Sequence, residues 1–221
     1  MKYNIALLLT FFTTICLAQL REGFVYAQDI IDDLAVELRY CNDNNFVGEQ
    51  IDGYNKEVVI MTTLAAKALK NVQDTLKKKG LGIKIYDAYR PQQAVNHFVR
   101  WAKKVNDTLK KQEYYPNVDK KNLFSQGYIA SKSRHSSGST LDLTIINLDT
   151  GLALDMGSPY DFFGPESWVS NTKLTKKQQE NRQLLQEVML SNGFRNYPKE
   201  WWHFTLRGEP FRNQYFDFPI E

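Results

Sequence analysis

Between Glu57 and Lys79 apolar residues recur at Met61, Leu64, Ala65, Ala68, Leu69, Val72 and Leu76. That is the three-and-four spacing of one helix face, and Gly80 suits the stop, so the pattern predicts a helix over 57–79. Downstream the period changes to two: Ile83 and Ile85 alternate with Lys84 and Tyr86, as in a half-buried strand. Pro91 is placed to open a second helix, with Val95, Phe98, Val99 and Ala102 on its buried face. Residues 114–127 have no period and read as a loop. Leu141 to Leu148 is a β-rich run just after Gly138. Thr175-Lys176-Lys177-Gln178 reads as a capping box opening a third helix, with Leu184, Leu185, Val188 and Met189 inward and Gly193 as the stop. Trp201 to Leu206 closes the pattern as a last strand. Helices and strands are interspersed without a βαβ rhythm or a glycine-rich phosphate loop. The expected class is α+β: one domain, a small and mostly antiparallel sheet carrying the chemistry, and helices packed on it.

The amino-terminal end follows a different pattern. Lys2 precedes an apolar run from Ile5 to Leu17, broken only by threonines, and Cys16-Leu17-Ala18 offers small residues for cleavage. This predicts a signal peptide over 1–18 and a mature chain over 19–221, exported to a periplasm or secreted. A retained anchor is the alternative, but about a dozen apolar residues fall short of the ~20 a span needs. Ile15 before Cys16 argues against lipidation. No later stretch is apolar enough for stable membrane insertion.

About 200 mature residues suffice for one well-buried domain. The net charge of +3 is too small to indicate a nucleic-acid partner, and Lys77-Lys78-Lys79 reads as a solvated helix end. Of the two cysteines, Cys16 would leave with the signal, so Cys41 has no partner in the mature chain. An exported protein without an internal disulfide must rely on its core, or on a metal.

Candidate chemistry lies in two motifs that hold two of the three histidines: Ser133-Arg134-His135-Ser136-Ser137-Gly138-Ser139-Thr140-Leu141-Asp142 and Glu200-Trp201-Trp202-His203. Two imidazoles, one carboxylate ligand and one spare carboxylate match a mononuclear zinc hydrolase with an open coordination position. The spacing of His135 and Asp142 suits a loop that folds the histidine back over the start of a strand. An aspartate in that apolar run is either a metal ligand or an otherwise satisfied buried carboxylate. Glu200 and His203 would face opposite ways in a straight strand, so Glu200 is expected in the turn after Pro198. It is either a base near the metal or a surface salt-bridge partner. Arg90, in Asp87-Ala88-Tyr89-Arg90-Pro91, either supports a developing oxyanion or pairs with Asp87. His97 falls on the second helix and is given no metal role.

Taken together, Asp87-Ala88-Tyr89-Arg90-Pro91, Ser133-x-His135-x-x-Gly138-x-x-x-Asp142 and Glu200-x-Trp202-His203 resemble the zinc D-alanyl-D-alanine dipeptidases. The likeness extends upstream to Leu38-Arg39-Tyr40 and Asn44-Asn45-Phe46-x-Gly48. Asp155-Met156-Gly157 with Tyr160-Asp161 also looks like the family's segment beside the substrate. The resemblance implies one Zn2+ per chain on His135, Asp142 and His203. It implies Glu200 as catalytic base, Arg90 as transition-state stabiliser, and Asp155, Ser133 and Asp87 as substrate-binding residues, with Asp155 near the ammonium. The implied reaction is hydrolysis of the small-molecule substrate D-Ala-D-Ala to two D-alanines. A D,D- or L,D-carboxypeptidase trimming peptidoglycan stems is the alternative. A non-catalytic binding module on the same zinc scaffold is a third reading, and the intact Glu200 and Arg90 argue against it.

Overall fold

The computed structural model describes residues 20–221, so the expected signal segment lies outside the described residues. In chain order the elements are β1 (Phe24–Tyr26), β2 (Ala35–Val36), β3 (Ile60–Thr62), α1 (Thr63–Lys77), β4 (Leu81–Asp87), α2 (Gln92–Lys103), the single turn α3 (Lys111–Tyr114), β5 (Thr140–Asn147), α4 (Lys176–Ser191), β6 (Phe194–Tyr197) and β7 (Glu200–Leu206). Five strands form the main sheet in the order β2-β4-β5-β7-β6, and β1 and β3 pair separately. Every pairing is antiparallel except β2 with β4. The α+β expectation holds.

The sheet divides the chemistry from the core. Ile83 pairs with Ile145, Ile85 with Leu143, and Leu141 with Phe204. Residues directly opposite in an antiparallel pair share a face, and these six are completely buried. They pack with Leu69, Val72 and Leu76 of α1 and Leu185 and Met189 of α4 in one cluster. Truncating such a side chain, Leu69→Ala for example, costs about 2–5 kcal/mol. The opposite face carries Asp142 and, directly across from it, His203. A second, aromatic cluster surrounds α2 and includes Tyr40, Phe46, Tyr54, Tyr89, Phe98, Trp101 and Phe216.

Several boundaries differ from the periodic reading. The first helix begins at Thr63, not Glu57, because Ile60–Thr62 pairs with Phe24–Tyr26 as a strand. Thr62 then caps the helix, its side chain accepting from Ala65 N. Met61 therefore reaches the core from a strand, and Leu64, expected inward, is 53% exposed. Pro91 is the cap of α2 rather than its first residue. The stretch 114–127 is irregular apart from the end of α3 at Tyr114 and one short turn at Lys120–Asn122, yet it buries Tyr114, Tyr115, Val118 and Leu123. The capping box at Thr175 forms as expected, with both reciprocal hydrogen bonds present.

Candidate metal centre

His135 lies in a short helical turn, Arg134–Ser137, where the Ser133 hydroxyl accepts from His135 N. Gly138 ends that turn at φ +80°, and a Cβ there would lie 2.2 Å from the Phe24 ring. Both the left-handed backbone and the close approach require glycine. The chain reverses at Gly138 into β5, which brings His135 back beside Asp142. His203 arrives from β7 by strand register alone.

The three donor atoms converge. His203 Nδ1 lies 3.0 Å from Asp142 Oδ1, His135 Nε2 lies 3.4 Å from the same oxygen, and the two ring nitrogens are 3.3 Å apart. Bonds of about 2.0–2.1 Å to a tetrahedral metal put its ligands roughly 3.3 Å apart, so these atoms have the spacing of three tetrahedral corners. Asp142 Oδ1 is buried and has no hydrogen bond, although both rings are within reach. An orphaned carboxylate oxygen facing two imidazole nitrogens is a donor set in need of a cation. His135 Nδ1 lies 2.7 Å from Ala88 O, an acceptor that holds the proton on that nitrogen and leaves Nε2 as the ligand atom. Tyr160 OH donates to the other oxygen, Asp142 Oδ2, at 3.2 Å. Burial opposes the charge of Asp142, but the two histidines outweigh it and hold its carboxyl well below the usual range. Burial also works against a charged His203, yet the carboxylates of Asp142 and Glu200 beside it raise its pKa to about 10.

Glu200 is the first residue of β7 and not part of the preceding turn as expected. A register shift between Asn196 and Tyr197, the residue paired with Glu200, breaks the regular alternation there. Glu200 and His203 consequently share a side, with Glu200 Oε2 at 3.3 Å from His203 Nδ1. Arg90 approaches from the end of β4, its Nη2 3.7 Å from Asp142 Oδ2. It also pairs with Asp87, with Nη2 at 2.7 Å and Nε at 2.9 Å from Oδ2. The pairing with Asp87 is thus present, and it leaves the guanidinium beside the donor triad.

These groups line a cleft of about 240 Å³, along with Ser133, Tyr40, Tyr128, Phe163 and Asp161. Two residues expected at the substrate are elsewhere. Asp87 is wholly buried behind Arg90, where Tyr54 OH donates to its Oδ1 at 2.6 Å. Asp155 is exposed and lines a separate hollow, turned away by bonds from Gly157 N and Gln178 Nε2. The carboxylate that does line the cleft is Asp161, six residues on. It is 7% exposed, sits at φ +60°, accepts from Tyr40 OH at 2.7 Å, and makes no ion pair among the described residues. Burial, reinforced by the charge of Asp142, pushes its pKa well above the carboxyl range. The sequence signal was Tyr160-Asp161, a neighbour of the aspartate chosen. His97 is remote from the centre and bonds Glu49 at the surface.

Converging metal donors with a further carboxylate and an arginine beside them at one end of a sheet face are the arrangement of a metal-dependent hydrolase. A family model described as Peptidase_M15, D-ala-D-ala dipeptidase, matches residues 21–221. Similar proteins include D-alanyl-D-alanine dipeptidases from three bacteria. The Enterococcus faecium protein is 39% identical over 199 residues, 90% of this chain and 98% of the relative. The Enterococcus faecalis protein is 38% identical over 201 residues, 91% of this chain and 100% of the relative. The Streptomyces coelicolor protein is 36% identical over 197 residues, 89% of this chain and 98% of the relative. The chain belongs to the D-ala-D-ala dipeptidase family of metallopeptidases.

Proposed function

We propose that the protein is a zinc-dependent dipeptidase that hydrolyses D-alanyl-D-alanine to two D-alanines. The observation that carries this reading is Asp161, a buried carboxylate with no ion pair among the described residues, in the same small cleft as the donor triad. Such a group is matched by the free ammonium of a dipeptide, whereas the longer peptide of a cell-wall stem offers a neutral amide there. The cleft volume of about 240 Å³ also suits a small substrate, being below the ~300–1,000 Å³ usual for larger ligands.

His135 Nε2, Asp142 Oδ1 and His203 Nδ1 would hold the zinc, whose chemistry is to polarise the scissile carbonyl and acidify water. Glu200 stands beside this centre without belonging to the triad. It accepts a proton from the water that attacks the carbonyl carbon and delivers one to the leaving nitrogen as the C–N bond breaks. Arg90, fixed by Asp87, presents positive charge to the oxygen on which negative charge develops. Asp161 holds the substrate ammonium and so places the peptide bond over Glu200.

The test is a comparison of purified mature protein on D-Ala-D-Ala, N-acetyl-D-Ala-D-Ala and a stem pentapeptide. Efficient cleavage is expected for the first, poor cleavage for the second and almost none for the third. Comparable kcat/KM on the free and acetylated dipeptides would replace this reading with that of a carboxypeptidase. Export is a separate part of the proposal and rests on Lys2, the apolar run to Leu17 and Ala18. It predicts a mature form starting near Gln19 outside the cytoplasmic membrane, and an intact Met1 form in the cytosol would overturn it.

A further inference from the structure

Behind the cleft is a buried hydroxyl that touches neither the metal donors nor the space a substrate would fill. Tyr54 is completely buried, and its OH donates to Asp87 Oδ1 at 2.6 Å. The other oxygen of Asp87 serves the reaction face: Oδ2 accepts from Arg90 Nε at 2.9 Å and lies 2.7 Å from Arg90 Nη2 and 3.3 Å from His135 Nδ1. One carboxylate thus orients the arginine and lies against the ring of the first metal donor, whose Nδ1 proton is held by Ala88 O. Its remaining freedom is rotation about its own Cβ–Cγ bond, which would carry Oδ2 away from both. The Tyr54 hydroxyl pins Oδ1 and stops that rotation.

The tyrosine is itself held from two sides. Its ring packs edge-on against Tyr40, whose own ring lies under the Arg90 guanidinium at 5.2 Å. Its backbone segment is strapped by the end of the chain: Asn55 N donates to Ile220 O at 3.0 Å and Ile220 N donates to Gly53 O at 2.8 Å. A side chain needed only to fill space would not require an oxygen at this point. An oxygen aimed at a fully buried carboxylate supplies what the site lacks, a neutral donor that satisfies Oδ1 without competing for Oδ2.

We infer that Tyr54 is a positioning residue for the hydrolytic reaction, acting through Asp87 to hold Arg90 and His135 in register with each other. This deepens the dipeptidase reading and, for its activity readout, rests on it. Outer-layer partners of metal ligands are worth about 10–100-fold in metal affinity or activity when removed. Tyr54→Phe keeps the ring and its packing and deletes only the donor. It is expected to lower kcat on D-Ala-D-Ala about 10-fold with KM within twofold, and to weaken zinc binding about 10-fold against a chromogenic chelator.

The decisive measurement is a double-mutant cycle with Asp87→Asn, read both in kcat and in zinc affinity. If Tyr54 works through Asp87, adding Tyr54→Phe to Asp87→Asn changes neither quantity further. If Tyr54 merely supports the fold, the fold-loss is the same in both backgrounds and follows the fraction of unfolded protein seen by thermal melting. That result, or a Tyr54→Phe protein within twofold of wild type in both kcat and zinc affinity, overturns the inference. The zinc arm needs no turnover. A wild-type protein inactive on D-Ala-D-Ala would therefore sink the dipeptidase reading, while the cycle in zinc affinity still decides the role of Tyr54.

Discussion

Replacing Asp161 by Asn separates what this residue contributes to catalysis from what it costs the fold. The carboxylate is 7% exposed, makes no ion pair among the described residues, and faces the like charge of Asp142. Its pKa is raised in the folded protein, first by burial and then by Asp142, so the fold binds its proton more tightly than the unfolded chain does. Below the ordinary carboxyl range both states are protonated and the residue is neutral in its effect. As pH rises through that range the unfolded chain loses its proton first, and folding carries a growing cost up to the folded-state pKa. Asparagine keeps an oxygen to accept from Tyr40 OH and removes the charge. The variant should therefore melt higher than wild type at pH 7 and almost equally near pH 3. Each kcal/mol recovered adds about 2–4 °C to Tm in a chain of this size. Catalysis should move the opposite way. Losing a charge-assisted bond to the substrate ammonium forfeits about 1.5–3 kcal/mol, or roughly 10–100-fold in kcat/KM for D-Ala-D-Ala. The N-acetyl dipeptide has no ammonium and should lose nothing. Thermal melts at the two pH values and kcat/KM on the two substrates supply the assay. A variant that melts no higher at pH 7 refutes the cost argument, and an unchanged preference for the free dipeptide refutes the ammonium argument.

Three further outcomes follow from the same geometry. His135→Ala and His203→Ala should each lose most of the bound zinc and melt lower, because three protein donors are the minimum for this site and binding is coupled to folding; stoichiometric zinc in both by elemental analysis would exclude the donor set. Glu200→Gln should retain zinc and lose about 10²–10⁴-fold in kcat, as a positioned base does, and near wild-type turnover would remove it from that role. Arg90→Ala should retain zinc and lose roughly 10²–10³-fold in kcat. It should also be less stable than Glu200→Gln, since it strands the buried Asp87, and equal melting temperatures would contradict that pairing.

Much of this site was legible in the chain because its parts are local. A turn, a glycine and a strand of alternating residues suffice to put His135 over Asp142. A capping box announces α4 without help from any other element. The Glu200–His203 pair was visible as a spacing but not as a conformation, because the register shift that aligns them belongs to the pairing of β7 with β6. The same limit explains the start of α1. Residues 57–62 carry helical periodicity, but pairing with Phe24–Tyr26 takes Ile60–Thr62 into a strand. No local pattern contains that partner.

The chain by itself determined the α+β class from its periodicities, and it offered His135, Asp142, His203, Glu200 and Arg90 as candidates that the family resemblance gathers into one site. Tertiary structure alone decided which acids line the cleft and which lie behind or outside it. Asp155 and Asp161 lie in one aperiodic segment, and nothing in their spacing says which way either points. Gln178 of α4 binds Asp155 on the outside, while Tyr40, 121 residues earlier in the chain, holds Asp161 into the cleft. Asp87 likewise reads as a partner of Arg90 or a substrate contact, and the fold buries it behind Arg90 with Tyr54 OH on its other oxygen. The direction of a loop carboxylate is set by whichever remote donor reaches it, and only the folded chain brings that donor near.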